Sequence, residues 1–179
     1  MPEEIVTNKK VALIVAFRDF RDEEYFLPKE ILEDAKTEVL TISDDSGVAV
    51  GIGGGEAKVD VLIGGLKVED FDAIVFIGGP GALSHLDGEE SYRIAKETIE
   101  AGKILGAICI SPAILAKADV LRGKRATVWS SSLDKSAVRV LEENGAIYED
   151  KDVVVDGKIV TANGPEAARE FGEKLVELY

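Results

Sequence analysis

The chain has 179 residues, 46% hydrophobic and 31% charged, which is one domain's length with enough apolar material for a core. Its 34 acidic and 21 basic residues leave a net charge of −13, a field that repels a phosphate backbone, so no nucleic-acid partner is expected. No apolar run reaches the ~18 residues of a membrane helix, and one Cys with one His excludes both a disulfide framework and a four-ligand structural zinc site.

In chain order, residues 9–17 form a continuous apolar run, as do residues 73–77 and 104–108, and residues 37–43 form a further short strand. Continuous rather than alternating apolar runs suit strands covered on both faces, as in a parallel sheet under helices. Residues 24–35, 89–101 and 136–144 carry helical spacing, the last closed by Asn144-Gly145. Ala168, Phe171, Gly172, Leu175, Val176 and Tyr179 trace one face of a final amphipathic helix, with Pro165 near its start. Residues 48–62 read as a hairpin turning at Gly53-Gly54-Gly55, and residues 153–160 as a second one turning at Asp156-Gly157. The pattern predicts an α/β layer sandwich with a mostly parallel sheet, helices on both faces and added β-hairpins, as one domain over residues 1–179. The acidic start, Met1-Pro2-Glu3-Glu4, is unlike a signal peptide, so a cytoplasmic location is expected.

Several motifs fail. Gly51-Ile52-Gly53-Gly54-Gly55-Glu56 imitates a dinucleotide fingerprint, but Glu56 stands where the last glycine belongs and no helix follows. No phosphate-binding Gly-Lys-Ser/Thr loop exists, and a two-histidine zinc motif is impossible with one His. Ser130-Ser131-Ser132 has no base beside it and reads as a helix-capping turn. Neither a metal nor another cofactor is expected.

Residues 104–115, Ile-Leu-Gly-Ala-Ile-Cys-Ile-Ser-Pro-Ala-Ile-Leu, carry the chemistry. An apolar strand ends at Cys109 and a helix opens at once, with Ser111 and Pro112 suited to its start. That is the layout of a nucleophile elbow, and small Gly106 and Ala107 admit close neighbours. A helix N-terminus would favour thiolate and lower the thiol pKa. The alternative is a buried cysteine serving as a small apolar residue. A second strand ends in Gly78-Gly79-Pro80-Gly81, on the sheet edge where ligands of open parallel sheets sit. Its exposed backbone N–H groups suit a developing oxyanion. The loop after the first strand, Phe20 to Pro28, brings a carboxyl to the same edge.

In order, the acidic loop ending in Glu24, the Gly78-Gly79 block, the Ala107-Ile108-Cys109-x-x-Pro112 elbow and the late block from Val153 to Pro165 resemble the ThiJ/PfpI superfamily, often called DJ-one. The resemblance runs from the Lys9 strand to the Tyr179 helix, and Thr161-Ala162-Asn163-Gly164-Pro165 is closer to the small DJ-one/YajL-like branch than to the protease branch. It implies a flavodoxin-like sandwich in a homodimer or larger oligomer. It also implies an oxidisable nucleophile at Cys109, a proton-shuttling acid at Glu24 and oxyanion donors at the N–H groups of Gly79 and Ile110. The chain departs from the family where Ile110 replaces the usual His after the cysteine and Ser111 the usual Gly. Some members take a His from the next strand's loop, but Trp129 occupies that region here. The only imidazole, His85, either reaches the Cys109 edge or caps the surface.

The resemblance implies chemistry on reactive carbonyls of the glyoxalase or deglycase kind, with a small-molecule substrate. A redox or stress-sensing role with an oxidant at Cys109 is the main alternative, and a degenerate apolar ligand pocket is a third. Peptidase chemistry is disfavoured, since no His follows Cys109.

Overall fold

A computed structural model describes residues 8–179, and the acidic start at residues 1–4 lies outside them. The chain runs through β1 (Lys10–Val15), β2 (Arg18–Phe20), α1 (Asp22–Asp34), β3 (Glu38–Ser43), β4 (Val48–Gly51), β5 (Glu56–Lys58), β6 (Val61–Leu62) and β7 (Ala73–Phe76). It continues with α2 (Ala82–Leu86), α3 (Glu89–Glu100), β8 (Ile104–Ile108), α4 (Pro112–Lys117), β9 (Arg125–Ala126), α5 (Ser136–Glu143), β10 (Ile147–Tyr148), β11 (Val153–Asp156), β12 (Ile159–Ala162) and α6 (Ala168–Glu177).

Seven strands form the central sheet in the order β11-β12-β8-β7-β1-β3-β6, parallel except where β11 returns antiparallel on β12. The apolar runs are continuous because both faces are covered. Ala12 and Ile14 of β1 face a core completed by Ile94 of α3, Ile114 of α4 and Leu141 of α5. Val11, Leu13 and Val15 face the other way, onto Leu32 of α1 and onto Phe171 and Leu175 of α6. Gly106 belongs to this second face: a Cβ there would lie 3.1 Å from Phe171 and 3.2 Å from Leu175, so its smallness seats α6 on the sheet. The fold is α/β with a mostly parallel sheet between helices, as the periodicity predicts.

The hairpin over 48–62 is shorter than its sequence suggests. β4 and β5 pair antiparallel through Lys58, but Val61–Leu62 leaves to join the main sheet beside β3. Asp60 makes that switch, its N–H donating to the Thr41 carbonyl and its carboxylate accepting the Thr41 N–H, both at 2.8 Å. The serine triplet forms a turn in which Ser131 Oγ accepts the N–H groups of Leu133 and Asp134. The side chain that accepts the Ser136 N–H at the start of α5 is Asp134, not one of the serines.

The chain proceeds from β1 outward to β3, then returns to the opposite side of β1 with β7 and β8. The switch point therefore lies at the carboxyl ends of β1, β7 and β8, where open α/β sheets bind ligands. Among the described residues no helix is long and apolar enough to cross a membrane.

Candidate active site

β8 ends at Ile108, and the chain turns at Cys109 with φ +64°, a left-handed conformation that costs a side-chain-bearing residue roughly 1–3 kcal/mol. Two hydrogen bonds hold the turn. The Cys109 N–H donates to the Ala162 carbonyl at 2.9 Å, and the Cys109 carbonyl accepts the Trp129 N–H at 2.8 Å. Ser111 does not cap α4 as its position predicts: its hydroxyl donates to the Ile77 carbonyl at 2.8 Å and ties the elbow to the end of β7.

Gly78 and Gly79 follow β7 directly beside the cysteine. A Cβ on Gly78 would lie 2.6 Å from both Cys109 Cβ and the Ile108 carbonyl oxygen and 2.7 Å from Glu24 Oε1, so only glycine permits this approach. Gly79 turns with φ +116° against the backbone of Arg21, whose N–H donates to the Gly78 carbonyl at 3.0 Å.

Glu24 reaches the site from the first turn of α1 rather than from the end of a loop, because the helix opens two residues earlier, at Asp22. Asp22 makes that early start possible. Its carboxylate accepts the N–H groups of Gly53 and Gly55, each at 2.7 Å, and pins the glycine turn to the helix. The run that imitates a dinucleotide fingerprint thus wraps a carboxylate of its own chain.

Glu24 is fully buried; its Oε1 accepts the Gly78 N–H at 3.1 Å, and the carboxyl faces the Cys109 thiol. The Gly78 amide is therefore spent on Glu24, while the Gly79 and Ile110 N–H groups face the sulfur. Burial pushes Glu24 up to about 7, despite the opposing pull of the Cys109 and Gly78 hydrogen bonds and the nearby Arg21 charge. Burial, reinforced by the Glu24 charge, pushes the Cys109 thiol up to about 12. The sequence predicts the opposite, a thiol lowered by its helix. The reversal follows from scale: α4 has six residues, and the two amides on the sulfur do not offset its loss of water beside a carboxylate.

Cys109, 8% exposed, forms the floor of a cavity of about 300 Å3. Pro80, Leu83, Ile110 and Trp129 give it an apolar wall, and Arg21 supplies the one charged lining side chain among the described residues. The structure thus brings Cys109, Glu24, Gly78, Gly79, Ile110 and Trp129 together. His85 is not among them. It sits on α2 with Nδ1 2.6 Å from Asp44 Oδ2 and lines a different depression, because Asp44 anchors it across the end of β3. Arg21 and Leu83 escape the sequence reading. Arg21 has a faint signal, three positions before Glu24, while Leu83 has none. Among the described residues no group of three or more His, Cys, Asp or Glu is placed to hold a metal ion.

Comparison with known proteins agrees with this architecture. The chain is 38% identical to an uncharacterized protein of Methanocaldococcus jannaschii over 97% of this chain and 84% of that one. Its fold is similar to a ThiJ/PfpI domain protein from Brachyspira murdochii, with a TM-score of 0.90, 30% identity and 96% of each chain covered. It is also similar to Toxoplasma gondii DJ-1, with a TM-score of 0.82 and 31% identity over 95% of this chain and 90% of that one. With the DJ-1/PfpI family profile matching residues 9–178 and the fold shared nearly end to end, this chain belongs to the DJ-1/PfpI family.

Proposed function

We propose that the protein is a cysteine-dependent enzyme acting on small reactive carbonyls, of the glyoxalase or deglycase kind. The observation that carries this reading is the buried Cys109–Glu24 pair at the floor of a small apolar cavity. With the thiol at about 12 and Glu24 at about 7, the nucleophile is made during attack rather than stored as thiolate. Ionised Glu24 takes the thiol proton as sulfur bonds to the aldehyde carbon of a 2-oxoaldehyde. The oxyanion that forms lies beside the Gly79 and Ile110 N–H groups. Glu24 returns the thiol proton to that oxygen, giving a hemithioacetal, and, ionised again, carries the proton from the former aldehyde carbon to the neighbouring carbon while the hydroxyl proton passes to the neighbouring oxygen, leaving a thioester. Water cleaves it to a 2-hydroxy acid and restores the thiol. The balance is one water added, one carbon oxidised and its neighbour reduced, with no outside redox partner. Lactate formation from methylglyoxal tests the reading: it is expected to vanish in Cys109→Ser and to fall steeply in Glu24→Gln. Turnover that survives Cys109→Ser unchanged refutes it.

A redox role is the second reading. The same two amides and a protonated Glu24 suit the oxygens of a sulfinate, and the similar Toxoplasma gondii DJ-1 was solved in an oxidized form. Intact mass after graded peroxide checks it: a two-oxygen gain at Cys109 before general damage supports it, and none refutes it. Family membership also favours self-association, so light scattering is expected to return at least a dimer mass; a monomer at high concentration overturns that expectation.

A further inference from the structure

Among the described residues Arg21 is the one charged side chain on the wall of the Cys109 cavity. The chain has 34 acidic residues for 21 basic ones; Arg93, Arg122 and Arg125 find partners among them, whereas Arg18, Arg139 and Arg169 show none among the described residues, so Arg21 is set apart by lining the Cys109 cavity. Arg93 meets Glu90 at 3.2 Å and Glu97 at 3.1 Å, and Arg122 meets Asp119 at 2.9 Å. Among the described residues Arg21 has no carboxylate within ion-pair distance. Its Nε is withdrawn from solvent and has no acceptor. Of the acids nearest in the chain, Asp22 spends both oxygens on the Gly53 and Gly55 amides and Glu24 spends Oε1 on Gly78, while Asp19 and Glu23 are exposed and stand outside ion-pair distance of Arg21. Arg21 thus brings to the cavity a positive charge with no counter-ion within ion-pair distance, which an entering anion would supply.

We infer that the cavity takes small carbonyl compounds that also carry a carboxylate, held by the Arg21 guanidinium while Leu83, Ile110 and Trp129 cover the carbons between. The inference rests on the carbonyl reading of the Cys109 site and narrows its substrate class. A single guanidinium matches a carboxylate in charge and in its two-pronged geometry. A phosphate dianion needs more positive charge than one arginine supplies in a chain of net charge −13. The cavity, at about 300 Å3, has room for a chain of a few carbons.

Trp129, the only tryptophan, lies on the cavity wall and reports binding by its fluorescence. The probes are levulinate, a keto acid, and levulinamide, its neutral amide. Levulinate is expected to bind the unmodified protein at least about tenfold more tightly, with the advantage shrinking as salt is added. Arg21→Gln is expected to remove most of that preference and Arg21→Lys to keep part of it, with unchanged far-UV circular dichroism showing that both fold. Equal affinity for acid and amide, no fluorescence response to either, or a preference that survives Arg21→Gln overturns the assignment of Arg21. Inorganic phosphate binding more tightly than levulinate overturns the choice of carboxylate. Hydroxy-acid formation from methylglyoxal and from a 2-oxoaldehyde that bears a carboxylate is measured separately in the unmodified protein. Absence of both overturns the carbonyl reading, whereas loss of the acid's preference alone overturns only the Arg21 anchor.

Discussion

Replacing Glu24 by Gln is expected to stabilise the protein in a strongly pH-dependent way. In the unfolded chain this carboxyl titrates near 4.5, whereas burial in the fold pushes it to about 7. Between those values the folded state holds a proton that the unfolded state has lost. The stability this group contributes is whole below pH 4.5 and is lost as the pH rises through about 7. At ~1.4 kcal/mol for each pH unit, ionising the buried carboxyl costs the fold about 3 kcal/mol. Gln keeps an oxygen for the Gly78 N–H, which Glu24 now accepts at 3.1 Å, and never ionises. The two proteins should therefore be close in stability near pH 4.5 and differ by about 3 kcal/mol near pH 8, with Gln the more stable. For a chain of this length that is roughly 6–12 °C in Tm. Urea unfolding of both proteins across this range measures the gap, and taking their difference cancels the groups that titrate alike in both. A gap that stays constant with pH refutes the reasoning, because Glu24 would then ionise alike in both states.

Other outcomes follow from the same contacts. Alkylation of Cys109 by iodoacetamide should be slow at neutral pH and titrate above the ordinary thiol value, and in Glu24→Gln it should titrate lower than in the parent because the carboxylate charge is gone; a plateau below the ordinary value in the parent overturns the burial account. Gly78→Ala places a methyl 2.6 Å from Cys109 Cβ, so it should cost about 1–3 kcal/mol in urea unfolding and lower turnover, and wild-type stability with full activity would contradict the packing. Asp22→Ala frees the Gly53 and Gly55 amides and should raise hydrogen exchange across 48–58, with a loss of about 1–3 kcal/mol; unchanged exchange there would show that the glycine turn holds by itself.

Much of the fold was legible because its signals are local. Apolar runs at β1, β7 and β8, helical spacing at α3, α5 and α6, and a glycine at each tight turn each reflect which side chains adjoin in the chain. The elbow was legible for the same reason, since strand, Cys109 and Pro112 are contiguous. The early start of α1 was not, because Asp22 is held by glycines about thirty residues away. Nor was the departure of β6 from its hairpin, which depends on Asp60 meeting Thr41 across two strands.

The sequence by itself therefore determined the class of fold, the sheet edge that carries the site, and the elbow and glycine block at it, while Glu24 was singled out by the family resemblance. The tertiary structure alone decided what those groups can do. It set both titrations upward, turned His85 away to Asp44, spent the Gly78 amide on Glu24, and left Arg21 on the cavity wall without a carboxylate. The physical reason is common to all four: desolvation and pairing depend on which groups meet in space and how much water remains between them. A sequence records only which groups are neighbours along the chain.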